Sequence, residues 1–134
     1  MWDNEKLIGC GALKFLDKEH GEFKSIRIHD NFRKQGQGIN VINHLINEAK
    51  KLKIKRLSIE TGAGDFFIPA RKLFKKTGFT ICEPFAHYKE DSNSVYLSMF
   101  IDDIWKLFLI VDLFCWQNPI KSKESQYYLI ISNN

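Results

Sequence analysis

Cysteine is scarce in this 134-residue chain: Cys10, Cys82 and Cys115 are an odd set, widely spaced, with no C-x-x-C among them. Such a set supplies no disulfide framework, and with no histidine cluster at ligand spacing it suggests no metal site. Both absences point to a reducing, cytoplasmic setting. Long hydrophobic runs are also missing. The longest, Ile104 to Trp116, is broken by Lys106 and Asp112 and falls short of the roughly 18 apolar residues a membrane span needs. Met1-Trp2-Asp3-Asn4-Glu5 lacks the basic and apolar regions of a secretory leader. No internal repeat or low-complexity segment interrupts the chain. There is no large excess of either charge. A net charge of +4 suits an anionic ligand and is too small alone to argue for nucleic acid.

What is present is the composition of a soluble globular domain, 44% hydrophobic and 27% charged. The length suits one domain with a buried core. Leu7 to Leu16 reads as a strand closed by the turn Asp17-Lys18-Glu19-His20-Gly21, and Glu22 to His29 as a second strand with partial alternation. From Gln37 to Lys53 the period changes. Ile42, Leu45, Ile46, Ala49 and Leu52 form the stripe of an amphipathic helix, and Lys50, Lys51 and Lys53 complement its C-terminal dipole. Lys55 to Thr61 alternates as a third strand. A second helix starts near Pro69, with Ala70, Leu73, Phe74 and Thr77 on one face and Gly78 as its left-handed stop. Phe79 to Phe85 and Ser94 to Ile101 read as two further strands. The predicted order is β-β-α-β-α-β-β, an α+β fold with a mixed, mostly antiparallel sheet. Residues 102–134 change character and form a tail of unassigned role, outside a domain over residues 1–101.

Between the second strand and the first helix lies Arg33-Lys34-Gln35-Gly36-Gln37-Gly38. A helix N-terminus has unpaired N–H groups and a partial positive charge, so such a loop makes an anion cradle. Gly36 and Gly38 allow tight turning and close approach to phosphate oxygens. Arg33 and Lys34 add charge. A plain β–α turn accounts for the same residues, and the full dinucleotide fingerprint is absent.

The segment Ile28 through Ile39, a strand followed by [Q/R]-x-x-G-x-[G/A] and a helix, resembles the acetyl-CoA motif of the GCN5-related N-acetyltransferases. The resemblance continues through Gly9-Cys10-Gly11-Ala12-Leu13-Lys14, Leu57-Ser58-Ile59-Glu60-Thr61-Gly62, Pro69-Ala70-Arg71-Lys72-Leu73-Phe74, Gly78-Phe79 and Cys82-Glu83-Pro84-Phe85. It spans residues 2 to 101 in unbroken order and is closest to a branch of small bacterial acetyltransferases. It implies that acetyl-CoA lies between two splayed central strands. Ile26, Arg27 and Ile28 would flank the pantetheine. The pyrophosphate would rest on N–H groups of Gln35, Gly36, Gln37, Gly38 and Ile39, beside Arg33 and Lys34. The reaction implied is acetyl transfer to a primary amine of a small molecule or peptide, with no metal.

By the same resemblance Glu22 is the candidate general base, with a rim glutamate paired to Lys24 as the alternative. Glu60 would hold a substrate ammonium or stand as a solvated strand residue. His29 and His44 are surface residues on this reading. Many family members place a tyrosine where this chain has Phe74, and a phenyl ring donates no proton; Tyr88 and Tyr96 are the open substitutes. The family fold also begins with a strand, two helices and a strand that the resemblance does not find here. A shortened product, a tail covering the exposed sheet edge, or a homodimer supplying the cover would each account for that. A second functional class is an acyl-CoA-binding or interaction domain without turnover. Nucleic-acid binding through Lys50, Lys51, Lys53, Lys55 and Arg56, or through Arg71, Lys72, Lys75 and Lys76, is weaker, because these residues read as solvated faces.

Overall fold

Residues 2–3, 6–101 and 127–130 are described by the structure, a computed structural model. A two-residue ribbon, β1 (Trp2–Asp3) with β2 (Lys6–Leu7), precedes the main sheet. Strands β3 (Gly9–Phe15) and β4 (His20–Ile28) form an antiparallel hairpin. The Asp17 carboxylate accepts the N–H groups of Glu19 and His20, each at 2.8 Å, and so closes the turn between them.

The partial alternation of β4 has a specific cause. Pairing shifts register between Cys10–Arg27 and Ala12–Lys24, so Gly11 opposes both Ser25 and Ile26. Ser25 is the bulge residue, with φ of 52°. Before it, Gly21 and Phe23 face the core; after it, Ile26 and Ile28 take that face. One extra residue has reversed the parity of the strand.

Helix α1 (Gln37–Lys51) buries Val41, Ile42, Leu45, Ile46 and Ala49 against Leu13, Phe23, Leu57 and Leu97. Each such side chain contributes about 1.5–3 kcal/mol on burial. The helix ends with Lys53 in the left-handed region (φ 61°), with Lys53 N–H on the Lys50 carbonyl and Ile54 N–H on that of Ala49. Strand β5 (Arg56–Gly62) follows, then α2 (Ile68–Lys76) with Pro69 in its first turn. Gly78 closes α2 as its sequence position predicts. It sits at φ 102° and donates to Lys75, while Phe79 donates to Phe74 at 3.0 Å. The rings of Phe74 and Phe79 meet edge to face at 5.7 Å, the apolar contact that accompanies such a cap.

Strand β7 (Ser94–Phe100) pairs with β5 along its whole length. The strand expected over Phe79 to Phe85 is cut to β6 (Thr80–Ile81), followed by one more rung, Cys82 N–H to Tyr96 carbonyl at 3.0 Å. Pro84 then has no N–H for a ladder. The chain turns instead through Ala86 (φ 53°) and lays Phe85 and Tyr88 over the sheet face opposite α1.

The sheet order is β6-β7-β5-β4-β3-β8, where β8 (Tyr127–Ile130) comes from the tail. It pairs antiparallel with Gly11 to Lys14 of β3, so the tail covers that sheet edge, one of the alternatives the sequence offers. All pairings are antiparallel except β4 with β5, the mixed α+β arrangement expected. That one parallel contact is short. It joins His20 to Arg56, Gly21 to Leu57 and Glu22 to Ser58. Beyond these three pairs the strands part, leaving a gap between Phe23–Ile28 and Ile59–Gly62.

Glycines at two positions give a check on this packing. A Cβ on Gly9 would lie 2.8 Å from the Arg27 carbonyl oxygen and 2.6 Å from Ile28, whereas one on Gly64 meets nothing within 4 Å. Gly9→Ala is therefore expected to destabilise by about 1–3 kcal/mol in chemical denaturation. Gly64→Ala should leave stability unchanged or slightly raised.

Candidate active site

The gap between β4 and β5 ends at the loop into α1. Asp30–Phe32 forms a short 3-10 turn, after which Lys34 (φ 59°) and Gly36 (φ 80°) are both left-handed. Gly36 is the N-cap of α1 and supplies no side chain to cap it; no acidic residue stands in the first turn. The N–H groups of Gln35, Gly36, Gln37 and Gly38 meet no backbone acceptor among the described residues. The Ile39 N–H is directed inward, to the Gly36 carbonyl at 3.1 Å. The positive end of a fifteen-residue helix is thus left open to solvent beside the gap.

The two loop glycines do different jobs. Space around a Gly36 Cβ is empty to 4 Å, so glycine is there for its left-handed φ. At Gly38 a Cβ would come within 2.7 Å of the Leu73 Cδ2 methyl on α2, the tip of a side chain that would have to shift to admit it. Of the loop cations, Arg33 is paired with Asp30 at 2.8 Å and donates to the Ile28 carbonyl at 3.3 Å. Lys34 is exposed. Ile26 and Ile28 pack toward the core, and Arg27 points to solvent from the far side of the bulge.

At the apex of the gap stands Glu22, whose side chain is wholly buried. It is therefore not a rim residue, though Lys24 does pair with it. The Lys24 ammonium lies 2.7 Å from Oε1. The Tyr88 hydroxyl donates to the same oxygen at 2.7 Å and itself accepts from Lys24. Oε2 is buried with no hydrogen-bond partner among the described residues. Burial alone would lower the pKa of Lys24, but its bonds to Glu22 and Tyr88 outweigh this and hold it above the ordinary value. Burial pushes the Tyr88 hydroxyl up, with Lys24 working against the shift and Glu22 adding to it.

Two residues back on the same face, His20 shares a hydrogen bond of 2.7 Å with the buried Ser58 hydroxyl. Farther along β5, Glu60 accepts from Ser94 at 2.7 Å. It lines an open cleft of about 630 Å³ with Tyr88, Tyr96, His87, Glu90 and Asp91. Phe74 is buried beneath Phe79 and does not reach this face. His29 is exposed and caps the 3-10 turn; His44 is half-buried on α1. Among the described residues no three metal-ligating side chains cluster, and no helix is long and apolar enough to cross a membrane.

Residues 1–79 match the model of the acetyltransferase (GNAT) family. The chain belongs to that family. It is 50% identical over 97 residues to YsnE, an uncharacterized N-acetyltransferase of Bacillus subtilis, covering 72% of this chain and 64% of that one. It is 41% identical over 99 residues to YedL, an uncharacterized N-acetyltransferase of Escherichia coli, covering 74% and 62%. The chain thus spans less than two thirds of the length of either relative. Among solved structures, a GNAT family acetyltransferase from Elizabethkingia anophelis with acetyl-CoA bound aligns with a TM-score of 0.64 and 26% identity, over 75% of this chain and 72% of that one. A Bacillus subtilis acetyltransferase in complex with CoA has the same fold, with a TM-score of 0.63 at 24% identity, over 75% and 73%.

Reading the GNAT motif from sequence brings together the loop, β4 and Glu22. It offers Lys24 as a partner of Glu22 but not as a bridge to Tyr88, and it offers Tyr88 only as a substitute proton donor, not as a partner of Glu22. Lys24 was visible as an i+2 neighbour on a strand. Tyr88 lies 66 residues from Glu22, and only the turn at Pro84 and Ala86 carries it there.

The half-buried His20 sets a pH dependence. Burial first, and then Arg56, lower the pKa of His20 below 6.5, opposed by Asp17 and Glu22. A depressed folded-state pKa means that the contribution is present above the unfolded value and lost as pH falls through the folded one. Burial lowers His44 in the same sense. Denaturation midpoints should therefore fall as pH drops below about 6.5. His20→Gln should reduce that slope, and His20→Gln with His44→Gln should reduce it further.

Proposed function

We propose that the chain carries the donor site of an acetyl-CoA-dependent N-acetyltransferase acting on a primary amine, in a cytoplasmic setting. The observation that carries this reading is the open N-terminus of α1 at the foot of the gap between β4 and β5. Pantetheine carries amide groups and needs backbone partners; Ile26, Arg27 and Ile28 lie on the stretch of β4 that has lost its β5 neighbour. Pyrophosphate needs N–H donors and positive potential; Gln35, Gly36, Gln37 and Gly38 have unused N–H groups there, Ile39 completes the turn, and Arg33 and Lys34 lie beside it.

Transfer needs a free amine near the thioester carbonyl, since an ammonium has no lone pair to attack with. Glu22 at the apex is the base in this proposal, and Glu60 in the cleft attracts the acceptor's ammonium. Attack forms the C–N bond, the C–S bond then breaks, and coenzyme A leaves as its thiol. Holding both reactants at one apex supplies the proximity term of the rate enhancement.

The donor site is tested by charge at Gly36. The left-handed φ there is one that asparagine and aspartate tolerate better than other side chains, and the space around a Cβ is empty. Gly36→Asn is expected to bind acetyl-CoA within a few-fold of the unaltered chain. Gly36→Asp should weaken binding by about 1–2 kcal/mol, roughly five- to thirty-fold in Kd. Calorimetry with acetyl-CoA reads the difference, and equal affinities for the two variants would remove the loop as the pyrophosphate site. Thiol release measured beside it separates turnover from binding alone.

A further inference from the structure

Glu22 presents a difficulty to any direct reading of it as base. Its side chain has no exposed surface, so an acceptor amine in the cleft cannot touch it. Tyr88 is the group that reaches both sides. Its hydroxyl donates to Glu22 Oε1 at 2.7 Å, and the same residue lines the cleft that holds Glu60. We propose that Tyr88 relays the acceptor's proton to Glu22, joining the cleft to the buried carboxylate. This rests on the acetyltransferase reading above and assigns a further residue to it.

The chemistry is a double transfer. The acceptor ammonium gives a proton to the Tyr88 oxygen as Tyr88 gives its own to Glu22 Oε1. An N–H and a tyrosyl O–H bond break, a new tyrosyl O–H and a carboxylic O–H form, and the amine's freed lone pair attacks the thioester carbon. The adduct then loses its nitrogen proton to water, the departing thiolate takes one from water, and Glu22 releases its own. One proton is liberated per acetyl group transferred.

The surroundings suit this role. A phenolic oxygen accepts as well as donates, and here it accepts from Lys24. The Tyr88 ring is held by Phe85 at 5.1 Å and Tyr96 at 5.6 Å, so the hydroxyl is fixed without using its hydrogen bonds for packing. The charged groups facing it are Glu22 and Lys24 from β4 and Glu60 from β5. From its own loop come His87, stacked at 5.1 Å, and the cleft residues Lys89, Glu90 and Asp91. No proton donor comes from Phe74, which lies in the core on the other side of the sheet.

The test uses the full chain with acetyl-CoA and a panel of primary amines: ethylenediamine, lysine, and a tripeptide with a free N-terminus. Tyr88→Phe keeps the ring and removes the relay. Its acetyl-CoA affinity should be unchanged, while kcat at pH 7 falls by about a hundredfold with little change in KM. The loss should shrink as pH approaches the amine's own pKa, where solution supplies free amine. Glu22→Gln should behave alike, and the double variant should be no slower than either single one. Activity of Tyr88→Phe within about threefold of the unaltered chain, or losses that multiply in the double variant, would overturn the relay. Loss of acetyl-CoA binding by the unaltered chain, or no thiol release with any amine, would overturn the acetyltransferase reading instead. An ultraviolet titration gives a readout independent of the acceptor. Tyr88→Phe should remove one late-ionising tyrosine, and Glu22→Gln should move that tyrosine's ionisation to lower pH. An unmoved titration would break the Glu22–Tyr88 link and sink the proposal.

Discussion

The parting of β4 from β5 after three residue pairs is the constraint on which the site depends. Two parallel strands would ordinarily continue pairing until one ends, because unpaired N–H and C=O groups inside a sheet are costly. Here β4 has a bulge at Ser25, three residues past the last rung. A bulge bends its strand and increases its twist, so β4 turns away while β5 stays with β7 to its end. The result is a gap lined by backbone, open at one end to the N-terminus of α1. Ser25 also resets the parity of β4, so Ile26 and Ile28 return to the core under α1 and the strand stays anchored as it diverges. Without that reset, divergence would expose both isoleucines.

The same fork determines how a carboxylate comes to be buried. Glu22 is on the last rung, on the face away from α1, opposite Ser58. An isolated ionised carboxylate out of water is unfavourable by many kcal/mol. Lys24 is the next residue on that face and supplies the opposite charge, while the loop after β6 supplies Tyr88. Both act on Oε1, which leaves Oε2 without a partner among the described residues. Replacing buried ion pairs with apolar groups is often neutral or better, so the pair is not explained by stability alone.

How much of this was readable in advance depended on whether the determinant was local. Residues 37–53 declare a helix by periodicity, formed over Gln37–Lys51, and Gly78 declares its role as a cap by position. The loop before α1 was legible because glycine, the preceding strand and the following helix are contiguous. A second constraint on Gly38 was not legible: a Cβ there would crowd the Leu73 side chain, 35 positions away in the chain. Strand β6 was overestimated because Phe79-Thr80-Ile81 has strand composition, whereas Pro84 and the left-handed Ala86 end the ladder early. Of the alternatives for the tail, covering the sheet edge is the one that Tyr127–Ile130 takes by pairing with β3, though its partner strand was not legible. No periodicity in a sequence states which distant edge a short strand will join.

The difference between local and long-range determinants bears on the site itself. What sequence pattern conveys well is the proposed donor side, which lies on one contiguous stretch from β4 through α1. What it conveys poorly is the proposed acceptor side, assembled from β4, β5, β7 and a twelve-residue loop between Ile81 and Ser94 with little regular structure. That asymmetry follows from the chemistry. A nucleotide pyrophosphate can be held by backbone N–H groups and a helix dipole, which any compatible loop supplies regardless of most side chains. An amine acceptor must be recognised by side chains brought together from separate elements. Tyr88 belongs to the second kind. Its place beside Glu22 follows from Pro84 turning the chain and Phe85 and Tyr96 holding the ring, and that combination exists only once the sheet has formed.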